Sequence, residues 1–543
     1  MASDGRGHIV VCGFGHLGQS VVQLLRGLDE EVVVITEEVR RSSLVAVDDD
    51  HVRILRGDAR DPELLSHADL AHARAVIAAT DHDLTNVEIA LDVRALAPKT
   101  PVVVRLFDQN LARMLEQSFD VRRALAMSAL AAPVFAAAAL DDPLLARLEL
   151  DEGAFVIGEP RSLSPRAPAT ARVALPVSGH GTGIALAPEA GWRELVGVTS
   201  TDGEPITTVS GVAAALRWPA TMWTHSPLSM RITFALLVAL TLVSVLVFSV
   251  GLKLQLLDAF YFMVTTITTT GYGDITPKDA GTAVKLYTCF VMLLGSATTA
   301  LFYSFFTDFI VAERFRRITQ NPEITVRDHV IVVGLGNVGY RIIESLRRFG
   351  VPLVGIDVDG SAPFASEVRS HSPVLTGDGR LAGTLRKAGI ARARSIVAAT
   401  GDDAINLEIS LAVKREASHV RVVSRLFDPA FAMKVQGVLP IERALSASRV
   451  AAPAFVASAL WPNVVAAFVR DGHFVVVTSE AAPDSWDRRT VAEIRAGEQA
   501  VIAYPDPGAG KVPLADEHVV TAGDRYVVVR ERPVALPHGR VRS

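Results

Sequence analysis

Two long stretches without charged side chains lie near the middle of the chain, and they limit its possible folds more than any other feature. Ile232 to Leu252 and Leu286 to Thr307 contain no Asp, Glu, Lys or Arg. At about 1.5 Å per helical residue, each is long enough to cross a hydrocarbon layer of roughly 30 Å. The sequence therefore predicts a membrane domain with two spanning helices.

The segment between these runs indicates how a pore would be built. Leu256–Ile267 is amphipathic and too short to cross, which suits a re-entrant helix. Thr268–Asp274 follows it and contains two glycines, Gly271 and Gly273. A strand that turns successive carbonyl oxygens toward one axis needs dihedral angles that side chains resist and glycine accepts. Four such strands would replace the water shell of a potassium ion with backbone oxygens.

We interpret Thr268–Asp274 as a potassium selectivity filter. The hydroxyl of Thr269 would add the innermost ligand, and Tyr272 would pack outward and brace the strand. The alternative is a glycine-rich turn that carries a tyrosine, but the two apolar flanks favour the pore. The predicted filter residues are Thr269, Thr270, Gly271, Tyr272, Gly273 and Asp274, and the first four would hold K⁺.

Over about residues 228–312, this order of helix, pore loop and helix resembles the two-span potassium channel family. Thr270 departs from that family, which more often has valine there, and its hydroxyl needs a partner behind the filter. One chain supplies a quarter of such a filter, which predicts a homotetramer in a lipid bilayer. Gly295, midway along the second run, is a candidate gate hinge or, equally, a point of close helix packing.

The segment before the membrane domain recurs after it, at an offset of about 320 residues. Ile9–Gly18 returns as Ile331–Gly339 with a shift of one residue. Two copies of one domain are therefore expected to flank the membrane domain. Later matches keep the register: Gly57-Asp58 with Gly377-Asp378, Ala78-Ala79-Thr80 with Ala398-Ala399-Thr400, and Arg105-Leu106-Phe107-Asp108 with Arg425-Leu426-Phe427-Asp428.

Each copy alternates short β-branched strands with helical segments, which predicts a parallel, doubly wound sheet. In each copy a Gly-rich turn follows the first strand directly and opens a helix, and an acidic residue ends the second strand. This is a nucleotide-binding fingerprint. The first glycine allows the turn, the second lets phosphate approach the backbone, and the third lets the helix pack on the strand. The helix N-terminus then favours an anion.

We expect each copy to bind NAD(H) or another adenine nucleotide. Glu37 and Asp357 would accept hydrogen bonds from ribose hydroxyls, and Arg105 and Arg425 would suit phosphate. The alternative is a domain that keeps its glycines for packing and binds nothing. The predicted binding residues are Gly13, Gly15, Gly18, Glu37, Asp58, Thr80 and Arg105 in the first copy, and Gly334, Gly336, Gly339, Asp357, Asp378, Thr400 and Arg425 in the second.

An Ala-rich helical region follows each copy, at Asn110–Leu140 and Ala430–Leu460, and suits either close helix packing between protomers or a helical cover on the sheet. A smaller unit with strand-like pieces comes next in both cases. With these parts, both flanking domains resemble RCK (regulator of potassium conductance) or TrkA-N type domains. The family implies pairing through the helices after the Rossmann-like unit and a cytoplasmic ring. One domain here precedes the pore, whereas the commonest layout places both after it.

The predicted fold class is multidomain: an α-helical two-span pore domain between two α/β Rossmann-like RCK domains, each with a smaller α+β C-terminal lobe. The predicted boundaries are 1–145 for the first Rossmann-like domain with its dimerisation helices, 146–218 for its lobe, 226–312 for the pore, 313–328 for a linker, 329–462 for the second Rossmann-like domain with its dimerisation helices, and 463–535 for its lobe.

Two crossings place both ends of the chain on one side of the membrane. Arg217 precedes the first run, and Arg314, Arg316 and Arg317 follow the second. The positive-inside tendency marks that side as cytoplasmic, which predicts a multi-pass protein of the cell membrane with both termini in the cytoplasm.

Other classes of function are less compatible with the sequence. A net charge of −5 argues against a nucleic-acid binder, and two cysteines suggest no disulfide framework. A membrane-bound NAD-dependent oxidoreductase would need an acid or base beside the nicotinamide, and no clear arrangement provides one. A soluble TrkA-like regulatory subunit would lack the spans. Gating by calcium or another divalent ion stays open, through Asp81 and Asp83 or Asp402 and Asp403.

Overall fold

The structure is a computed structural model. It divides into two compact units, one made of residues 1–201 and 321–543 and the other of residues 202–320. The residues it describes are 7–38, 51–107, 109–119, 121–141, 144–150, 153–158, 173–175, 184–188, 228–319, 324, 326–498, 500–504 and 517–535.

The first copy of the repeat forms a parallel sheet of six strands in the order β3-β2-β1-β4-β5-β6. This is the doubly wound order: β2 and β3 are added on one side of β1, and β4 to β6 are added on the other side. Its central strands are runs of valine, isoleucine and alanine that are buried on both faces. The elements are β1 (Ile9–Cys12), α1 (His16–Gly27), β2 (Val32–Thr36), β3 (Val52–Arg56), α2 (Pro62–His67), β4 (Ala75–Ala78), α3 (Asp83–Leu96), β5 (Val102–Leu106), α4 (Gln109–Ser118), β6 (Arg123–Ala126) and α5 (Met127–Ala139).

The smaller unit after it contains four antiparallel strands in the order β7-β8-β10-β9. They are β7 (Leu144–Leu150), β8 (Gly153–Gly158), β9 (Val173–Leu175) and β10 (Ile184–Pro188).

The described part of the unit of residues 202–320 contains three helices: α6 (Leu228–Gly251), α7 (Leu256–Ile267) and α8 (Thr282–Thr319). Within the described residues, two stretches are long and apolar enough to cross a membrane, Arg231–Gly251 and Thr282–Asp308. Phe248, Phe262 and Met263 form a small core where the three helices meet. Leucines such as Leu242 and Leu293 face outward, as lipid-facing or subunit-facing side chains would. Both predicted spans are therefore helical.

The second copy repeats the first, with the sheet order β13-β12-β11-β14-β15-β16 and parallel pairing throughout. Its elements are β11 (His329–Val333), α9 (Asn337–Arg348), β12 (Leu353–Asp357), α10 (Ala365–Arg369), β13 (Val374–Thr376), α11 (Ala382–Lys387), β14 (Ala393–Ala398), α12 (Asp403–Glu416), β15 (Arg421–Arg425), α13 (Pro429–Val438), β16 (Arg443–Leu445) and α14 (Ala447–Leu460).

The second small unit matches the first in strand order, β17-β18-β20-β19, and is antiparallel. Its described strands and α-helix are β17 (Val464–Arg470), β18 (His473–Ala481), α15 (Val491–Glu498), β19 (Ala500–Tyr504) and β20 (Arg525–Pro533).

The two copies pack against each other within one chain. Helix α1 packs on α14, α9 on α5, and α5 on α14, and Phe135 and Phe455 lie in one shared hydrophobic cluster. Arg421 Nε donates to the carbonyl oxygen of Ala138 at 2.7 Å, and Arg122 donates to that of Ala459 at 2.9 Å. The Ala-rich helices α5 and α14 thus pack closely on each other across the two copies of one chain.

The last helix of the pore unit extends past the boundary that the sequence suggested. Helix α8 runs without interruption to Thr319, so the predicted end of the pore domain at residue 312 falls inside it. The sequence also predicts that this helix continues through Arg317 to a break at Asn321-Pro322, and those two residues lie outside the described ranges.

Candidate functional site

The predicted filter begins where α7 ends. The φ angles of Thr269, Gly271 and Gly273 are +58°, +52° and +77°, so every second residue is left-handed. The N–H groups of Thr270 and Gly271 both donate to the carbonyl oxygen of Thr265, at 3.0 and 3.1 Å. The helix end thereby holds the start of the filter segment.

The side chains of this segment make short local contacts. The hydroxyl oxygens of Thr268 and Thr270 lie 2.9 Å apart, which gives the Thr270 hydroxyl a partner, and the Thr269 hydroxyl donates to the carbonyl oxygen of Thr268 at 2.7 Å. Tyr272 is 70% exposed within one chain, and Asp274 is also exposed. A Cβ atom on Gly271 or Gly273 would meet no atom within 4 Å. The need for glycine therefore comes from the dihedral angles and not from crowding.

Gly295 lies inside the unbroken helix α8. A Cβ atom built on it would stand 3.1 Å from Cγ1 of Ile267, the last residue of α7. This contact supports the packing alternative, because a larger side chain would push α7 away from α8.

The Gly-rich turns of the two copies are built alike. Gly13 and Gly334 have φ angles of +101° and +94°. A Cβ atom on Gly18 would stand 2.0 Å from the carbonyl oxygen of Gly13, and one on Gly339 would stand 1.8 Å from that of Gly334. In both copies the first glycine thus permits the turn and the third lets the helix approach it, as the fingerprint requires.

The acidic residues at the ends of the second strands differ between the copies. Asp357 accepts hydrogen bonds from the backbone N–H of Leu335 at 2.6 Å and of Asp359 at 2.9 Å. Its carboxylate therefore lies directly at the Gly-rich turn. Glu37 is exposed at the end of β2.

Two other predicted ligands are held by neighbouring arginines. Asp58 Oδ2 lies 2.7 Å from Nη2 of Arg60, and Asp378 Oδ2 lies 2.7 Å from Nη2 of Arg380. The hydrogen bonds from these arginines hold the pKa of both carboxyl groups below their usual range. Asp58 and Asp378 thus stabilise the loops after the third strands. Their carboxylate oxygens are already engaged by these arginines.

A buried asparagine that sequence reasoning missed joins the ends of the fourth and fifth strands. The amide of Asn86 accepts from the N–H and hydroxyl of Thr80 and donates to the carbonyl oxygen of Arg105 at 3.0 Å. Asn406 makes the same bonds with Thr400 and Arg425. Both asparagines are fully buried. Their matched positions in the repeat are the signal that could have revealed them.

Replacing Asn406 with alanine is expected to lower the free energy of unfolding by about 2 to 3 kcal/mol, because buried N–H and carbonyl groups lose their partners. Urea unfolding of the purified protein measures the change. Asn337→Ala, at an exposed position on α9, is the matched control and should cost less than about 0.5 kcal/mol. Equal losses in the two variants would contradict the bracing role.

The two predicted phosphate-binding arginines both lie over an aromatic ring. The guanidinium carbon of Arg105 lies 4.7 Å from the ring centre of Phe107, and that of Arg425 lies 4.4 Å from that of Phe427. Burial lowers the pKa of Arg425 to about 10, so the group remains cationic at neutral pH. Phe427 also approaches His16 of the other copy, with ring centres 6.3 Å apart. The second cleft therefore adjoins the first Gly-rich turn.

The four acids considered for a divalent ion have other partners. Asp83 and Asp403 accept from the backbone N–H of Phe107 and Phe427, and Asp402 caps α12. Asp81 pairs with Arg105. Within the described ranges, no group of three His, Cys, Asp or Glu side chains could hold a metal ion. The geometry gives the divalent alternative no support.

Comparison with known families defines the class of protein. The TrkA-N domain matches residues 9–125 and 330–447, and the ion channel domain matches residues 232–312. The chain therefore carries one TrkA-N domain before an ion channel domain and one after it. This confirms the predicted order of two Rossmann-like domains around a two-span helical domain.

The chain is homologous to prokaryotic potassium channels. A probable potassium channel protein 2 of Methanocaldococcus jannaschii is 28% identical over 177 residues, which cover 31% of this chain and 50% of that protein. The voltage-gated potassium channel Kch of Escherichia coli is 28% identical over 191 residues, covering 34% and 45%. The chain thus spans half or less of the length of these relatives. The solved structure of the GsuK channel aligns over 98% of this chain and 78% of that one, with a TM-score of 0.50 and 17% identity, a likeness of fold.

Proposed function

We propose that this protein is a potassium-selective channel. The observation that carries the proposal is the alternation of left-handed residues at Thr269, Gly271 and Gly273, directly after a short helix and between two helices long enough to cross a membrane. Such alternation turns successive carbonyl oxygens to one side, where four chains can replace the water shell of K⁺. The filter would comprise Thr269 to Asp274, with K⁺ held by the first four residues.

The functional assembly would be a homotetramer with fourfold symmetry, because one chain supplies one quarter of the filter. Both ends of each chain would lie in the cytoplasm. The assembly would carry eight Rossmann-like domains, and the relatives named as potassium channels favour this role over a membrane-bound oxidoreductase.

We further propose that the channel is gated by NAD(H) or another adenine nucleotide bound in the Rossmann-like clefts. The support is the Gly-rich turn at a helix N-terminus with a cationic arginine at a neighbouring strand end. Shifting a two-state gate from 1:99 to 99:1 takes about 5.5 kcal/mol. Shared over eight clefts, this is about 0.7 kcal/mol each, so modest differential binding would suffice.

Nucleotide gating predicts a change in open probability when NAD⁺, NADH, ADP or ATP is applied to the cytoplasmic face of purified channels in planar bilayers. We expect at least one of them to change it several-fold, because eight small differences in binding energy add and their effects on the ratio of open to closed channels multiply. Calcium and magnesium, tested alone, serve as the comparison. A potassium current that ignores every nucleotide would refute gating by nucleotide and leave the pore assignment intact.

A further inference from the structure

One difference between the two clefts lies directly after the threonine that both copies share. Asp81 follows Thr80 in the first copy, and Gly401 follows Thr400 in the second. Both clefts contain the same threonine, buried asparagine and arginine. The difference places a carboxylate between the arginine and the second glycine of the turn in the first copy only.

In the first cleft this carboxylate lies where an anionic ligand would have to be. Asp81 Oδ1 is 2.5 Å from Nη1 of Arg105, and its Oδ2 is 3.2 Å from where a Cβ atom on Gly15 would stand. Arg105 is only 5% exposed, and the same Nη1 donates to the carbonyl oxygen of Thr80 at 2.8 Å. The carboxylate of Asp81 thus lies between Arg105 and Gly15, the glycine that was expected to let phosphate approach.

The second cleft leaves the same space open. A Cβ atom on Gly336 or on Gly401 would meet no atom within 4 Å. Arg425 donates to the carbonyl oxygen of Thr400 at 3.3 Å. Among the described residues it forms no ion pair with a carboxylate, and the nearby Asp403 is engaged by the N–H of Phe427. A buried cation and an open Gly-rich turn therefore face the same cleft.

We propose that only the second cleft binds the phosphate groups of a nucleotide, and that Asp81 occupies the equivalent place in the first. This rests on the proposed nucleotide gating and assigns it to one cleft per chain. A nucleotide entering the first cleft must displace a carboxylate that is tethered beside the arginine and repels phosphate. Four clefts per tetramer then gate the channel, and each needs about tenfold tighter binding to the open state.

Two reciprocal substitutions exchange the clefts. Asp81→Gly removes the carboxylate from the first, and Gly401→Asp introduces one in the second. Both should fold, because Asp81 is 63% exposed and Gly401 has open space with no left-handed φ angle. Asp81→Asn is the matched control for charge, since it keeps the side-chain shape. The melting temperature of each variant confirms that it is folded.

The experiment is calorimetric titration of the full-length protein in detergent with NAD⁺ and, separately, ADP. We expect one nucleotide site per chain in the wild type and two in Asp81→Gly. In Gly401→Asp, the affinity of the second cleft should fall by about a hundredfold. In Asp81→Asn, a new site should appear in the first cleft, with lower affinity than in Asp81→Gly. Two sites in the wild type, no new site in Asp81→Gly, or unchanged binding in Gly401→Asp would overturn the assignment. Absence of binding in every protein, including Asp81→Gly, would instead refute the nucleotide role itself.

Discussion

Replacing Gly273 with alanine is expected to reduce the potassium-to-sodium permeability ratio from a strong preference to about 1. The φ angle of Gly273 is +77°, and a side chain at such an angle costs about 1 to 2 kcal/mol in each chain. In a tetramer the four costs add at one ring of carbonyl oxygens. The strand would relax by turning those oxygens away from the axis, so K⁺ would lose the ligands that replace its water. Reversal potentials under bi-ionic conditions measure the ratio.

The matched control is Gly281→Ala, in the same outer segment. Gly281 has open space around a Cβ atom and no left-handed φ angle, so its variant should keep the wild-type ratio. Tyr272→Ala should relax selectivity as well, because the exposed ring is available to brace the filter against neighbouring subunits. An unchanged ratio in Gly273→Ala would contradict the filter assignment.

Replacing Gly336 with alanine is expected to weaken nucleotide binding at the second cleft by at least about a hundredfold, or about 2.7 kcal/mol, with little change in stability. The backbone angles of Gly336, φ −77° and ψ −171°, are open to any residue, and its Cβ atom would meet no protein atom within 4 Å. The added methyl group would stand only in the path of the phosphate. Calorimetric titration with NAD⁺ or ADP and thermal unfolding separate the two effects.

Two neighbouring glycines provide the controls. Gly339→Ala would place Cβ 1.8 Å from the carbonyl oxygen of Gly334, so it should lose stability as well as binding. Gly383→Ala lies in α11 with open space, so it should leave binding unchanged and add about 0.5 to 1 kcal/mol of stability. Wild-type affinity in Gly336→Ala would show that phosphate does not approach this turn.

Much of the fold could be predicted because the chain contains it twice. A single Gly-rich turn is a weak signal, but the same turn after a strand in both copies indicated the doubly wound sheet that the structure has. The apolar runs located α6 and α8 for a simple reason: a bilayer sets the length and composition of any helix that crosses it. The left-handed φ angles at Gly13 and Gly334 were also predictable, because a tight turn after a strand needs angles that glycine accepts.

Other features depend on contacts that a linear pattern does not specify. The sequence shows that Asp58 and Asp378 follow a strand, but not that an arginine two residues later engages each carboxylate. Asn86 and Asn406 were missed because asparagine is common in loops and its burial depends on tertiary packing. Small residues along α5 and α14 indicate close helix packing without specifying whose helix is the partner.

The pairing of the two copies inside one chain makes their association a first-order process. A pair formed between separate protomers comes apart on dilution, whereas two halves joined by a chain meet at a local concentration that the connection between them sets, whatever the bulk amount. Each newly made polypeptide can therefore complete its own regulatory pair before it meets another subunit. Because the helices of each copy pair with those of the other copy in the same chain, the sequences of the two copies can diverge. The second copy keeps an open cleft, whereas the first carries Asp81.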